Sequence, residues 1–244
     1  MKSRTPTETH VDWAGSVHLA PGLLAFTGRI GDAEAHTHAC LQLLIVTSGR
    51  IVLADARGAR RPVEGIAIIP AGVPHQVTAG PETAGLAAYL DADSAAGRAA
   101  AARLRRTGAD PRQVETWTGT AAQPAQAPAT TPPRPAPHPT LAAAIDLATT
   151  DPGGPPDLAA LASRVPVSAS RLGHLFAEHL GLSYPAWRRW IRLQRALEAV
   201  RAGADLTAAA HTAGFADSAH LSRTTRAMFG LTPTRAARAA GWRP

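Results

Sequence analysis

One cysteine and one lysine are all that the 244 residues hold of those two types. A lone Cys40 excludes an internal disulfide framework and makes a reducing cytoplasm the simplest compartment. With Lys2 as the only lysine, the basic charge is carried almost wholly by arginine. Apolar runs of eighteen or more residues are missing, so nothing in the sequence reads as a membrane span. The opening stretch MKSRTPTETHVDWAG lacks the apolar core of a secretory signal, which again points to the cytoplasm. Acidic residues are unevenly scarce. Residues 1–156 balance 13 Lys and Arg with 13 Asp and Glu, whereas residues 157–244 set 12 Arg against 5 acids. The whole net charge of +7 therefore lies in the last third. A GC-rich genome explains arginine over lysine, but not the depletion of acids in one segment. A neutral part joined to a basic one implies a polyanion, nucleic acid, as partner of the basic part alone. No Ser/His/Asp set, Cys/His pair or phosphate-cradling glycine loop stands out, which argues against the enzyme classes built on them.

The length suits two domains, each able to bury its own core. Between residues 17 and 90, short apolar runs such as LLIV, RIVLA and GIAIIP alternate with the turn clusters TSGR, ARGAR and PAGVP. No helical period survives there, and strands with turns at this spacing fit a sandwich or barrel. Residues 94–107, SAAGRAAAARLRRT, read as a helix capped by Ser94. Residues 118–139, TGTAAQPAQAPATTPPRPAPHP, are almost entirely Pro, Ala, Thr and Gln. Such a stretch buries too little apolar surface to fold, and its prolines favour an extended, semi-stiff linker. The expected division is a β domain over 1–117, a linker over 118–139 and a helical domain over 140–244.

In the helical part, Asp157 caps LAALASR, and Ser168 caps ASRLGHLFAEHL, whose Leu172, Leu175, Phe176 and Leu180 make one apolar stripe ending at Gly181. Pro185 opens a longer helix in which Trp187, Trp190, Ile191, Leu197 and Val200 face inward. Five arginines from Arg188 to Arg201 cover the rest of that helix. The pattern then repeats. TAAAHTAG is a short helix, FAD a turn, and Asp217 caps SAHLSRTTRAMFG, with Leu221, Met228 and Phe229 inside and Gly230 at the end. A short helix, a turn and a second capped helix make a helix-turn-helix unit. One such unit is weak, because any helical hairpin in a bundle looks similar. Two, at 158–180 and 207–230 on one basic rod, present their second helices to successive major-groove segments about 34 Å apart.

The stretches DLAALASRVPVSASRLGHLFAEHLGLSYPAWRRWIRLQRALEAV and AHTAGFADSAHLSRTTRAMFGLTPTRA resemble the AraC-type (arabinose-regulator) transcription factors over roughly residues 140–240. The second stretch carries that family's Gly-Phe pair, acidic cap, LSR, FG and TP. The resemblance implies that the exposed side of each second helix reads base edges. Those positions are Ser170, Gly173 and His174 with Arg171 beside them, then Ser218, Ala219 and Arg223 with His220 near the backbone. Arg223 is the prime base reader, since a guanidinium pairs bidentately with guanine O6 and N7. Arg188, Arg189, Arg192 and Arg195 fall to phosphate contacts or internal pairing, and Arg192 matches a family position that is often structural. Two positions depart from the family pattern: Thr225 stands where a core Phe is usual, and Ala236 where Tyr is.

Residues 36–49, HTHACLQLLIVTSG, place two histidines one residue apart, which an extended strand turns to one face. This segment resembles the first cupin motif, with His36, His38 and Gly49 in place and Gln42 where Glu is usual. PAGVPH resembles the second, with Pro70, Gly72 and His75, and Ala79 where Asn is usual. Three neutral imidazoles suit Zn, Ni, Fe or Cu, with the Gln42 amide oxygen as a weak fourth ligand. Cys40 faces the same cavity if the strand runs regularly to that point. The same histidines also serve as polar lining for a small organic effector, or as packing. His10, His18 and His138 fall outside the motifs and read as surface residues.

The expected fold class is α+β with two domains: an N-terminal cupin β-barrel (double-stranded β-helix) and a C-terminal all-α domain with two helix-turn-helix units. The expected function is a cytoplasmic bacterial-type transcription regulator. Its cupin domain senses a small molecule or metal ion and dimerises through residues 94–107. The expected partners are double-stranded promoter DNA, the effector, a second copy, and RNA polymerase if the regulator activates, with no membrane. The competing reading is a cupin metalloprotein or dioxygenase-like enzyme whose helices are an interaction module. Gln42 weighs against it, since replacing the carboxylate by an amide weakens the hold on iron.

Overall fold

The computed structural model describes residues 10–20, 22–92, 94–119 and 138–242. Among them, nine strands precede nine helices. Strands β1 (Ala14–Ala20), β2 (Leu23–Arg29), β9 (Ala84–Leu90), β4 (Leu41–Ser48) and β7 (Ile66–Ile69) form one sheet in that order. Strands β3 (Ala33–His36), β8 (His75–Ala79), β5 (Ile51–Asp55) and β6 (Arg60–Val63) form a smaller one. Every paired neighbour is antiparallel. The β domain is thus two facing sheets, with no strand pairing among the described residues that closes them into a barrel.

Period-two patterning decides which side chains enter the space between the sheets. On β4, Gln42, Leu44 and Val46 are buried there, and in β9 Ala87 and Tyr89 join them. Ile51, Leu53 and Val77 arrive from the smaller sheet. The alternate residues Leu41, Ala88 and Leu90 point outward, where α1 (Ala95–Arg105) covers them with Ala100 and Leu104. Ser94 caps α1, its hydroxyl accepting from the Gly97 amide at 3.0 Å. Gly49 makes the turn out of β4 at φ +67°, and a Cβ there would lie 2.9 Å from Thr83 Cα. Both the backbone angle and the close approach require glycine.

A short helix, α2 (Val114–Gly119), lies against β7 of the larger sheet and β6 and β5 of the smaller one, and its Trp117 is fully buried. Its indole N–H donates to the Pro111 carbonyl at 2.8 Å. Asp55 anchors its start, accepting from the Val114 amide at 3.3 Å. Residues 118 and 119 of the expected linker complete α2, and α3 (Pro139–Thr150) begins at its last residue; 120–137 lie outside the described residues.

Helices α4 (Leu158–Ala162) and α5 (Ala169–Leu180) form the first helix-turn-helix unit, and α7 (Leu206–Thr212) and α8 (Ser218–Phe229) the second. Between them runs α6 (Tyr184–Arg201), whose 18 residues span roughly 27 Å. The chain ends in α9 (Pro233–Ala239). Phe176 of α5 packs edge-on to Tyr184 and tilted on Trp187 of α6, at 4.9 and 5.1 Å between ring centroids. Those rings, with Leu172 and Leu175, seat the first unit on the rod. Both second helices stop at a left-handed glycine, Gly181 and Gly230.

Candidate functional site

The four residues of the first and second cupin motifs do meet, but across two sheets rather than along one strand. His36 is the last residue of β3, His38 lies in the connection that follows, and Gln42 sits on β4 in the other sheet. His75 opens β8 directly opposite His36 in register. One ring nitrogen from each of the three histidines lies within 4.8 Å of the other two, and all three residues are buried, as is Gln42. Cys40 is not part of this cluster, because the strand is broken before it. Its thiol is buried in the core, and burial pushes it well above the usual thiol range.

Each imidazole is oriented by a main-chain carbonyl. Nδ1–H of His36 donates to Glu34 at 2.7 Å, that of His38 to Cys40 at 2.8 Å, and that of His75 to Val73 at 3.0 Å. A carbonyl only accepts, so each Nδ1 carries the proton and each Nε2 presents a lone pair. Gln42 Oε1 lies 3.2 Å from His38 Nε2 and 3.1 Å from His75 Nε2, and its amide donates to the Tyr89 hydroxyl at 3.1 Å. Rotating that amide lets it donate to those two rings and accept from Tyr89. His36 Nε2 has no hydrogen-bond partner. A buried orphan acceptor is costly, and a cation held by the converging lone pairs removes the cost. Burial, reinforced by His38, pushes the His36 pKa down to about 3. Burial also lowers His38, and lowers His75 still further with the help of its two ring neighbours. The trio is therefore neutral near pH 7, the form that ligates metal.

The second helices carry the other set of expected residues. On α5, Ser170, Arg171 and His174 are exposed and Gly173 is half-buried beside Leu158. Arg171 reaches Glu178 at 3.4 Å in a surface pair too exposed to fix it. On α8, Ala219 and Arg223 are exposed, and Ser218 and His220 half-buried. The His220 ring stands edge-on to Phe215 at 5.2 Å, which ties it to the turn rather than to the open face. Ser168 Oγ accepts from the Arg171 amide at 3.2 Å and Asp217 Oδ1 from the His220 amide at 2.6 Å, so both helix N-termini are capped. Asp217→Ala is expected to cost about 1 kcal/mol in urea unfolding, the usual loss of an N-cap. Thr225 is buried in place of the larger ring the family pattern implies, its hydroxyl satisfied by the Leu221 carbonyl at 2.8 Å.

Three of the rod's arginines turn inward. Arg188 and Arg192 donate to the Pro155 carbonyl at 2.7 and 3.1 Å, and Arg195 donates to that of Asp151 at 2.8 Å. They clamp the 151–155 turn onto α6, which leaves Arg189 and Arg201 as the rod's exposed arginines. A carbonyl partner some forty residues away leaves no local trace in the sequence.

The C-terminal end of α8 rests on the β domain, a contact that no motif announced. The Glu34 amide donates to the Gly230 carbonyl at 3.2 Å and the Thr37 amide to that of Ala227 at 2.9 Å. Arg235 pairs with Asp12 at 2.8 Å, and the Trp190 indole N–H donates to Asp91. Tyr89 stands edge-on to Phe229 at 5.0 Å and lies 6.4 Å from Trp190. Beside these rings an apolar cleft of about 60 Å³ opens between the domains, lined by Trp13, Phe26, Tyr89, Phe229, Ala236 and Trp242 among others. The small side chain of Ala236 helps to leave it open. Among the described residues no helix is long and apolar enough to cross a membrane.

The sequence model of the helix-turn-helix domain family matches residues 161–239. ToxT from Vibrio cholerae O395 has the same overall fold at 10% identity, with a TM-score of 0.52 over 91% of this chain and 99% of that one. A second ToxT structure, bound to (E)-4-(8-methylnaphthalen-1-yl)but-3-enoic acid, aligns at 10% identity with a TM-score of 0.52, covering 90% of this chain and 99% of that one. A transcriptional regulator from Chromobacterium violaceum, described as having an AraC-type DNA-binding domain, is 30% identical over 41% of this chain and 93% of its own, with a TM-score of 0.38. No curated protein matches the chain.

Proposed function

The helical domain belongs to the AraC-type helix-turn-helix family, and from that premise we propose that the chain is a sequence-specific transcription regulator whose cupin-like domain senses an effector. The observation that carries the reading is the pair of capped second helices, each with one side exposed, on a rod whose spare arginines face solvent. Ser170, Arg171 and His174 on α5 and Ser218, Ala219 and Arg223 on α8 meet the bases, while His220 and Gly173 shape the approach. Exposed Arg223 makes no pair with a carboxylate among the described residues, so its guanidinium is available to a guanine edge.

The buried His36, His38 and His75, with Gln42, hold a divalent transition metal such as Zn, Ni, Fe or Cu. The unpartnered His36 Nε2 supports metal over packing alone. Such an ion supplies a positive charge that draws the three imidazoles together. The neutral amide of Gln42 and the burial of the cluster favour sensing over turnover, so the reading is a regulator and not an enzyme. The apolar cleft at the seam favours a second input, a small apolar molecule, and the ligand bound to ToxT is in keeping with that. Double-stranded promoter DNA, a homodimer formed through α1, RNA polymerase at activated promoters, and the cytoplasm complete the proposal.

The test is to select duplexes from a random pool with the full chain and titrate the winners. Two subsites about one helical turn apart are expected. Arg223→Ala is expected to lose about 1–3 kcal/mol, concentrated at one base pair. Uniform weakening across sequences would instead place Arg223 on phosphate. Failure to enrich any duplex would hand the helices to the interaction-module alternative.

A further inference from the structure

We infer that the histidine cluster is wired to the second DNA-reading helix, so that a metal bound at His36, His38 and His75 holds the C-terminal end of α8 against the β domain. The inference rests on the metal reading above and concerns how occupancy would be transmitted. His36 ends β3, and the two backbone amides that bond α8 lie on either side of it. Glu34 donates to Gly230, and Thr37 donates to Ala227. The Nδ1–H of His36 is itself anchored on the Glu34 carbonyl. Any movement of the His36 ring toward its two neighbours therefore acts on the segment that α8 rests upon. Gly230 is pressed against that segment at φ +65°, where a Cβ would lie 2.4 Å from the Glu34 carbonyl oxygen.

A second path reaches the same helix end. Gln42, in contact with His38 and His75, donates to the Tyr89 hydroxyl, and the Tyr89 ring stands edge-on to Phe229, the last residue of α8. Both paths converge on residues 227–230. Ligation that fixes His36 and Gln42 stabilises the docked helix, and by reciprocity undocking the helix weakens the metal.

Zinc(II) binding to the full chain tests this, followed by calorimetric titration and by hydrogen exchange at individual amides. In the unaltered protein, saturating zinc is expected to slow exchange of the Glu34 and Thr37 amides about 10-fold or more. Gly230→Ala removes no ligand, yet is expected to weaken zinc about 10-fold, within the range usual for coupled sites. Tyr89→Phe keeps the ring on Phe229 and loses the Gln42 contact, with a smaller expected loss. If Gly230→Ala does not fold, Tyr89→Phe and the exchange of the unaltered protein decide the matter. Zinc binding that leaves those two amides unchanged, or equal zinc affinity in the folded variants, overturns the wiring while leaving the metal site standing. Absence of zinc binding in the unaltered protein removes both.

Discussion

Taking the metal-free protein from pH 6.5 to pH 5 is expected to cost about 2 kcal/mol of stability through His36 alone. The sign follows from where its proton resides. Unfolded, the imidazole titrates near its ordinary value of about 6.5, and folded it stays neutral down to about 3. Between those values the unfolded chain binds a proton that the folded one refuses. The contribution is therefore intact above 6.5 and is lost progressively as the pH falls toward 3. His38 and His75 are shifted the same way by burial and add to the loss. Urea unfolding at pH 7, 6 and 5 checks it, and a flat profile would mean that the cluster is open to water. Zinc at a thousand times its dissociation constant is expected to add about 4 kcal/mol at pH 7. That gain is expected to persist to pH 5, because the folded rings stay neutral there, and to fade only as the pH nears the value of about 3 at which His36 takes up its proton.

Raising salt from 50 to 200 mM is expected to weaken duplex binding about 1000-fold, with a log–log slope near −5 if about six phosphates are neutralised. The helical domain offers that many cations in the open: Arg171, Arg189, Arg201, Arg223, Arg226 and Arg238 are all exposed. Arg188, Arg192 and Arg195 should contribute nothing to the slope, since their guanidinium groups are bound to main-chain carbonyls. Arg189→Ala is thus expected to flatten the slope by about one, and Arg195→Ala to leave it unchanged while loosening the 151–155 turn. Fluorescence-free methods such as filter binding across a salt series suffice. A slope near zero would contradict a phosphate-tracking surface.

What the sequence disclosed and what it withheld divide along the range of the interactions. Asp157, Ser168 and Asp217 were legible as caps because a cap is satisfied within three residues, and each accepts the expected amide. Gly181 and Gly230 were legible as stops for the same reason. The histidine spacing pointed to residues that do come together, although an unbroken strand through His38 and Cys40 was the wrong picture. β3 and β4 belong to different sheets, so the connection between them must turn, and it carries His38 with it and leaves Cys40 outside the cluster. The spent arginines, the burial of Trp117 and the seat of α8 on β3 depend on partners far along the chain. Periodicity and composition carry no record of such pairings.

Trp190 has an indole closed in by Tyr89 and Phe229, with its N–H on Asp91 across the seam. Parting of the two halves would put that chromophore in water and strip it of its carboxylate, shifting its emission to longer wavelength. The molecule thus contains its own optical gauge of opening, and Trp190→Phe identifies which part of the signal belongs to it.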